Sequence, residues 1–179
     1  MQKIFLILFT LLAAFMLSGC LAKQVNAPKY YELGLDIAPK PCTNTNKTSV
    51  KIRSISAASS LESRDIWMKS GDLELYSLQG ARFTSFMPEM FENVLIKALS
   101  ADCAINLSKN APNNLQIKLL ELYADNKSAH ISAIAWLNER GVFLKQEKPL
   151  KSSSNDDIIN AMNAASQELI TQIIALIKE

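Results

Sequence analysis

Two stretches of the chain repeat apolar residues at the spacing of an amphipathic helix. Over residues 87–99, apolar side chains recur every three or four positions, and polar side chains occupy the opposite face. A second stripe covers residues 158–177 and follows Asp156 and Asp157, whose charges favour the positive end of a helix. The pattern therefore predicts two long amphipathic helices, each with one face that must be buried against other elements.

Shorter segments around these helices alternate apolar and polar residues, which is typical of β-strands. Within residues 115–122 the apolar positions change parity after Leu119, which indicates a β-bulge or a strand buried on both faces. Turns are predicted at residues 71–72, at residues 125–127 and at Gly141. The predicted strands cover residues 29–33, 50–55, 66–68, 73–78, 103–107, 115–122, 129–137 and 142–146.

The order of these elements predicts an α+β fold. At 179 residues the chain has the length of one domain, or of one domain with a tail. We expect a single domain over residues 30–179, with a mostly antiparallel sheet and the two long amphipathic helices packed on one face.

The first twenty residues differ in character from the rest of the chain. Residues 4–17 contain one polar residue, Thr10, and follow a start that carries the positive charge of Lys3. At ~1.5 Å per residue a helix of this length covers about 21 Å, less than the roughly 30 Å of a bilayer core. The length and the basic start favour a secretory signal peptide over a membrane-spanning helix.

The tetrapeptide Leu-Ser-Gly-Cys, which ends at Cys20, resembles the lipobox of bacterial lipoproteins. The resemblance implies that residues 1–19 are removed, that Cys20 receives diacylglycerol and that its freed amine is acylated. An ordinary signal peptide with a chance cysteine is the alternative. Two or three acyl chains give stable anchorage, so residues 20–29 would form a lipidated tether and residues 30–179 a periplasmic domain.

Leu21 bears on which membrane holds the anchor, because inner-membrane lipoproteins often carry Asp at that position. Leu21 therefore favours the outer membrane, facing the periplasm, over the inner membrane. The periplasm is oxidising, and with Cys20 used for lipid, Cys42 and Cys103 remain as an even pair that can form a disulfide. Two separate small apolar residues are the alternative interpretation of this pair.

Charge and composition exclude some classes of function. Lys and Arg total 19 and Asp and Glu total 17, which gives a net charge of +2, and the basic residues are scattered. Nucleic-acid binding is disfavoured, because it usually needs a clustered basic face. A single histidine and three cysteines also leave no spacing suited to a metal site.

Candidate catalytic residues are few. His130 lies in a predicted strand near Ser132, but no Gly-x-Ser-x-Gly turn is present to hold a nucleophile. Neither a Walker A loop nor a Gly-x-Gly-x-x-Gly motif occurs. The carboxylates of Asp65, Asp156 and Asp157 fit turn and helix-start roles. The sequence thus predicts a protein that is not an enzyme and that carries no cofactor or metal.

The residues after the tether resemble the ABC-type transport auxiliary lipoprotein family (PqiC/YmbA-like). A Tyr-Tyr-x-Leu segment ends at Leu33, and a Leu-x-x-x-x-Ile element follows from Leu61 to Ile66. A hairpin and an aromatic residue then precede the first long helix, and Phe83 stands where the family usually has Trp. The later strands and the closing helix agree in order, so the resemblance covers nearly all of the mature chain.

The resemblance implies a non-catalytic auxiliary subunit of a transport system that moves lipids or other apolar molecules across the cell envelope. Its partners would be the membrane, through the lipid anchor, an MCE-domain protein, and an ABC permease with its ATPase. A homo-oligomer is compatible with the sequence. The alternatives are an outer-membrane assembly lipoprotein, similar in layout to one of lipopolysaccharide export, and an unrecognised periplasmic hydrolase.

The surface around Arg64 and Trp67 is the candidate partner contact. Tryptophan is enriched at the cores of protein interfaces, and arginine is common there as well. A position in the hydrophobic core is the other interpretation of Trp67.

Overall fold

The computed structural model describes residues 27–34, residue 42 and residues 47–179. The predicted signal peptide, Cys20 and all of the tether before residue 27 lie outside the described residues.

Two long helices and eight strands form the described part of the chain; each helix follows a run of four strands, and the pairing is mostly antiparallel, as in an α+β fold. The α+β prediction is therefore confirmed. A short 3-10 helix, Ser59–Leu61, lies between the second and third strands. The elements are β1 (Lys29–Tyr31), β2 (Thr48–Ala57), β3 (Asp65–Ser70), β4 (Glu74–Phe83), α1 (Met87–Ala101), β5 (Ile105–Leu107), β6 (Asn113–Ala124), β7 (Ser128–Leu137), β8 (Arg140–Pro149) and α2 (Asn155–Lys178).

The described strands form one sheet in which β6 is central. The first part of β6 pairs with β2 in parallel, and nearly all of β6 pairs with β7 in antiparallel fashion. At the end of β6, beyond its pairing with β2, Ala124 pairs with Met68 of β3. The sheet then continues from β3 to β4 and from β4 to β1. Most paired residues belong to the antiparallel pairs β3–β4, β6–β7 and β7–β8, as predicted. The parallel pairs of β1 with β4 and of β2 with β5 join strands that are distant in sequence.

Both helices bury the apolar stripes that the sequence shows. Helix α1 contacts β2, β5 and α2, and helix α2 contacts β2, β6, β7 and β8. Phe91 and Leu95 of α1 and Met162 and Leu169 of α2 are completely buried. Each side chain of this size contributes about 1.5–3 kcal/mol by leaving water, so the two stripes hold the helices to the sheet.

The sequence predicted the β-bulge in β6 correctly but misplaced the turn between β7 and β8. The parity change after Leu119 is a β-bulge, because the pairing with β7 shifts register between Leu119 and Glu121. The turn predicted at Gly141 is wrong: the β7–β8 loop is Asn138–Glu139, and Asn138 has the positive φ of 57°. Gly141 instead lies within β8, where a β-carbon would come within 2.7 Å of Nε1 of Trp136.

Candidate functional site: a groove beside Trp67

Trp67 lies on the opposite face of β3 from the buried side chains of Ile66 and Met68. It is half-buried, so it is neither a core residue nor a freely exposed one. Its indole Nε1 donates a hydrogen bond of 2.6 Å to the carbonyl of Ser60 in the 3-10 helix. This bond gives the ring a defined orientation while one side of it remains open.

A groove of about 190 Å³ opens beside the indole ring. Leu120 is the unpaired residue of the β-bulge; it follows Leu119, which is completely buried in the core, and it lines this groove on the other face of the sheet. The groove also extends to the turn between β3 and β4. Its apolar walls are Trp67, Leu73, Leu75, Leu120 and Tyr123.

Charged groups lie around Tyr123, and two of them, Lys69 and Glu121, line the groove. The ammonium of Lys69 lies 5.1 Å from the centre of the tyrosine ring, within the range of a cation–π contact. Burial raises the pKa of the Tyr123 phenol, and the negative charges of Glu121, Asp125 and Glu147 raise this pKa further. The phenol therefore stays neutral at physiological pH and offers a hydrogen-bond donor beside an apolar wall.

His130 is engaged in the structure of the β6–β7 turn. Its ring stacks on Tyr123 with the ring centres 4.8 Å apart, and its Nε2 lies 3.1 Å from Oδ2 of Asp125. The hydroxyl of Ser132 donates to Glu121 at 2.9 Å, so the serine and the histidine have different partners. A nucleophile–base pair needs a direct hydrogen bond between the two groups, and the geometry here does not supply one.

Asp125 holds the turn through both of its carboxylate oxygens. Oδ1 accepts the backbone N–H groups of Lys127 and Ser128, each at 2.7 Å, while Oδ2 faces His130. Burial acts to raise the pKa of Asp125, but the hydrogen bonds from Ser128, Lys127 and His130 outweigh it and lower the pKa. The carboxylate is thus a turn-forming anion.

Arg64 contacts a different part of the surface from Trp67. Its guanidinium lies 5.8 Å from the centre of the Phe86 ring, just before α1, and its backbone carbonyl accepts the N–H of Phe83. Phe86 is exposed, so Arg64 and Phe86 together form a cationic and aromatic patch at the end of β4. The contacts of Trp67, by contrast, lie at the 3-10 helix and in the groove.

Several residues that carry the sequence resemblance have structural roles. The hydroxyl of Tyr31 donates to Asp156 at 2.7 Å, which ties β1 to the start of α2. Leu61 and Ile66 are both buried in the core. Phe83 is only 2% exposed, so this aromatic packs inside the domain instead of facing a partner.

Cys42 and Cys103 are adjacent in the structure. Their sulfur atoms lie 2.02 Å apart and their Cα atoms 5.1 Å apart, across a sequence separation of 61 residues. Cys103 lies in the turn before β5, which begins at Ile105 and not at residue 103 as predicted. The contact ties the segment before β2 to the end of α1.

The described residues form neither a metal-ligand cluster nor a membrane-spanning helix. Over residues 27–34, 42 and 47–179, no three His, Cys, Asp or Glu side chains come together as metal ligands. In the same part of the chain, neither helix has the length and hydropathy needed to cross a membrane.

Solved structures with the same fold have low sequence identity to this chain. A Xanthomonas campestris protein assigned to the DUF330 family superimposes with a TM-score of 0.72 at 18% identity, covering 82% of this chain and 92% of its own. An uncharacterized protein gives 0.64 at 11% identity, covering 85% and 97%. The hypothetical protein CT253 of Chlamydia trachomatis gives 0.50 at 14% identity, covering 73% and 96%. At these identities the likeness shows the fold alone.

Sequence comparison identifies the family. Among curated proteins, none matches this chain. The model of the family described as the ABC-type transport auxiliary lipoprotein component matches residues 31–174, from the end of β1 to the last turns of α2. The match spans both helices, every strand after β1 and the groove beside Trp67. The chain therefore belongs to the ABC-type transport auxiliary lipoprotein family.

Proposed function

We propose that this protein is a membrane-anchored periplasmic lipoprotein and a non-catalytic auxiliary subunit of an ABC/MCE-type transport system. The match to the family over residues 31–174 carries the proposal. The transported molecules would be lipids or other apolar compounds that cross the cell envelope. Because the sequence has no Walker A loop, the energy would come from a partner ATPase.

The anchor in this proposal is Cys20. The apolar stretch over residues 4–17 and the Leu-Ser-Gly-Cys tetrapeptide support it, as does the lipoprotein character of the family. Leu21 favours the outer membrane. The test is Cys20→Ala in the full-length protein, which should abolish acyl labelling and leave the precursor uncut. Acyl labelling and outer-membrane fractionation at the wild-type level would contradict the assignment.

The groove beside Trp67 is the proposed contact with a protein subunit of the transport system. A half-buried tryptophan with one open side, next to the apolar walls of Leu120 and Tyr123, is typical of an interface hot spot. The volume of about 190 Å³ is below the roughly 300–1,000 Å³ of most small-ligand pockets. The groove therefore suits one or two side chains of a partner better than a whole lipid.

Both helices would cover the same face of the sheet in this account, leaving the groove on the other face. The contact between α1 and α2 supports this arrangement. So does the alternation along β3, in which Ile66 and Met68 are buried in the core that the helices share while Trp67 is only partly buried.

Co-purification of the lipidated protein with the MCE-domain protein and the ABC permease tests the contact. Leu120→Glu places a charge in the groove and should reduce the recovered partner by about tenfold or more, as loss of one hot spot does. Phe143→Glu is the matched control, because Phe143 is an exposed apolar residue of β8 in the same sheet. Equal recovery with both folded variants would contradict the proposed contact.

A further inference from the structure

The turn between β3 and β4 exposes apolar side chains, two of which, Leu73 and Leu75, also line the groove beside Trp67. Leu73 is 95% exposed, and Leu75 and Tyr76, which follow it in β4, are 47% and 45% exposed. We call residues 71–73, together with these two side chains, the hairpin tip. A leucine this exposed at the end of a hairpin stays in contact with water unless a further surface covers it.

The direction of β1 points from the sheet towards this hairpin tip. β1 pairs with β4 in parallel, with Lys29 opposite Ala81 and Tyr31 opposite Phe83. In a parallel pair the first residues of both strands lie at the same end. The chain that precedes Lys29 therefore leaves the sheet on the side where β4 begins, which is the side of the hairpin tip.

The length of the tether matches the distance to the tip. Cys20 is nine residues before Lys29, which allows a reach of at most about 30 Å. Lys29 lies opposite Ala81, so the distance from Lys29 to the tip is close to the distance from Ala81 to Leu73. These two residues are eight positions apart, nearly all of them within β4, which corresponds to about 27 Å of strand. A membrane that holds acyl chains on Cys20 is thus within reach of Leu73.

We propose that the hairpin tip rests on the membrane that holds the lipid anchor, with Leu73 inserted at the boundary between headgroups and acyl chains. The inference rests on the proposed anchor at Cys20. Tyr76 would lie at the level of the headgroups, where tyrosine side chains are favoured. One inserted leucine binds weakly, but the tether keeps the tip at a high local concentration near the lipid.

The charges of the tip indicate which lipids it needs. The charges in and beside the tip are those of Lys69 and Lys127 and those of Asp72, Glu74 and Asp125, so positive charges do not outnumber negative ones and no basic cluster attracts anionic headgroups. Insertion would be driven by the apolar side chains alone. It should therefore occur on uncharged phosphatidylcholine vesicles and persist at high salt.

The experiment places a solvatochromic dye on Leu73→Cys in the lipidated, full-length protein, reconstituted in phosphatidylcholine vesicles. We expect a blue-shifted emission and strong quenching by lipids with brominated acyl chains, both unchanged by salt. Glu89→Cys is the control, because Glu89 is exposed in the first turn of α1, beyond the far end of β4. The dye at this position should emit as it does in water and should not be quenched by the brominated lipids.

Mass spectrometry of the N-terminal peptide distinguishes a failure of the Cys20 anchor from a failure of the membrane contact by the hairpin tip. If Cys20 is acylated and the dye at position 73 still emits as in water, the inference is overturned and the anchor stands. If Cys20 carries no acyl mass, both the anchor and the inference are overturned. A blue shift that requires an added transport subunit would assign the tip to a protein partner and would also overturn the inference.

Discussion

Nε2 of His130 and Oδ2 of Asp125 lie 3.1 Å apart, across the turn that leads from β6 into β7. The same carboxylate accepts the N–H groups of Lys127 and Ser128, so one anion holds the turn backbone and the buried histidine together. A histidine on a sheet face can suggest catalysis. Here its partners account for it as part of a turn.

Asp125→Asn should lower the free energy of unfolding at neutral pH by about 1 kcal/mol, because the amide is a weaker acceptor for the turn N–H groups. The pKa of Asp125 is lowered in the folded protein from its ordinary value of 3.8. Its stabilising effect is therefore complete above that value and is lost as the pH falls through the lowered folded-state pKa. The difference from wild type should shrink below about pH 4. Urea unfolding at several pH values measures this.

Asp72→Asn is the control for this prediction, because Asp72 is exposed in the β3–β4 turn. Its unfolding free energy should stay within about 0.5 kcal/mol of wild type, as is usual for surface substitutions. A difference for Asp125→Asn that grows as the pH falls below 4 would contradict the assigned role.

His130→Gln should preserve function in a deletion strain, because the proposed transport role asks no proton transfer of this side chain. A loss of about 1 kcal/mol in stability is expected from the altered contact with Asp125. Complementation of detergent sensitivity is the measurement. A folded, correctly anchored His130→Gln protein that fails to complement would point to chemistry and would favour the hydrolase alternative.

Leu95→Asp should abolish function by unfolding the domain. Leu95 is completely buried in α1, and an unpaired carboxylate at this position would cost several kcal/mol. Ile96→Asp, at the neighbouring exposed position of the same helix, should fold and complement. Circular dichroism and complementation of the two variants test this, and equal behaviour would contradict the described orientation of α1.

Cys42 and Cys103 should resist alkylation in protein isolated from the periplasm until a reductant is added. On the chain-entropy model, a disulfide that closes a loop of this size stabilises the fold by about 4 kcal/mol. Reduction should therefore lower the unfolding midpoint in urea. Detection of both residues as free thiols by mass spectrometry would end the disulfide hypothesis.

Local patterns in the sequence predicted the helices and several turns because each depends on neighbouring residues. The stripes of α1 and α2 follow from helical periodicity, and the bulge after Leu119 follows from a change of parity. The turn assigned to Gly141 was wrong because Asn138 supplies the positive φ, and the glycine instead makes room for Trp136.

Local sequence patterns do not specify which distant segments contact each other. Nothing local to residues 29–31 specifies that β1 pairs with β4, and nothing local to β2 specifies its parallel pairing with β5 and β6. The groove has the same origin, since Trp67 and Leu120 are 53 positions apart and meet only through the sheet. The sequence singled out Trp67 by its residue type alone, and its half-buried position depends on this long-range packing.

The proposed transport role is tested most directly by outer-membrane permeability in three strains, which lack this protein, its partner ATPase, or both. Two parts of one transport route block the same flux, so each single deletion should give the same sensitivity to detergent or bile salts. The account predicts that the double deletion is no more sensitive than either single deletion. A double deletion that is clearly more sensitive than both would contradict it, because the two proteins would then act on separate routes.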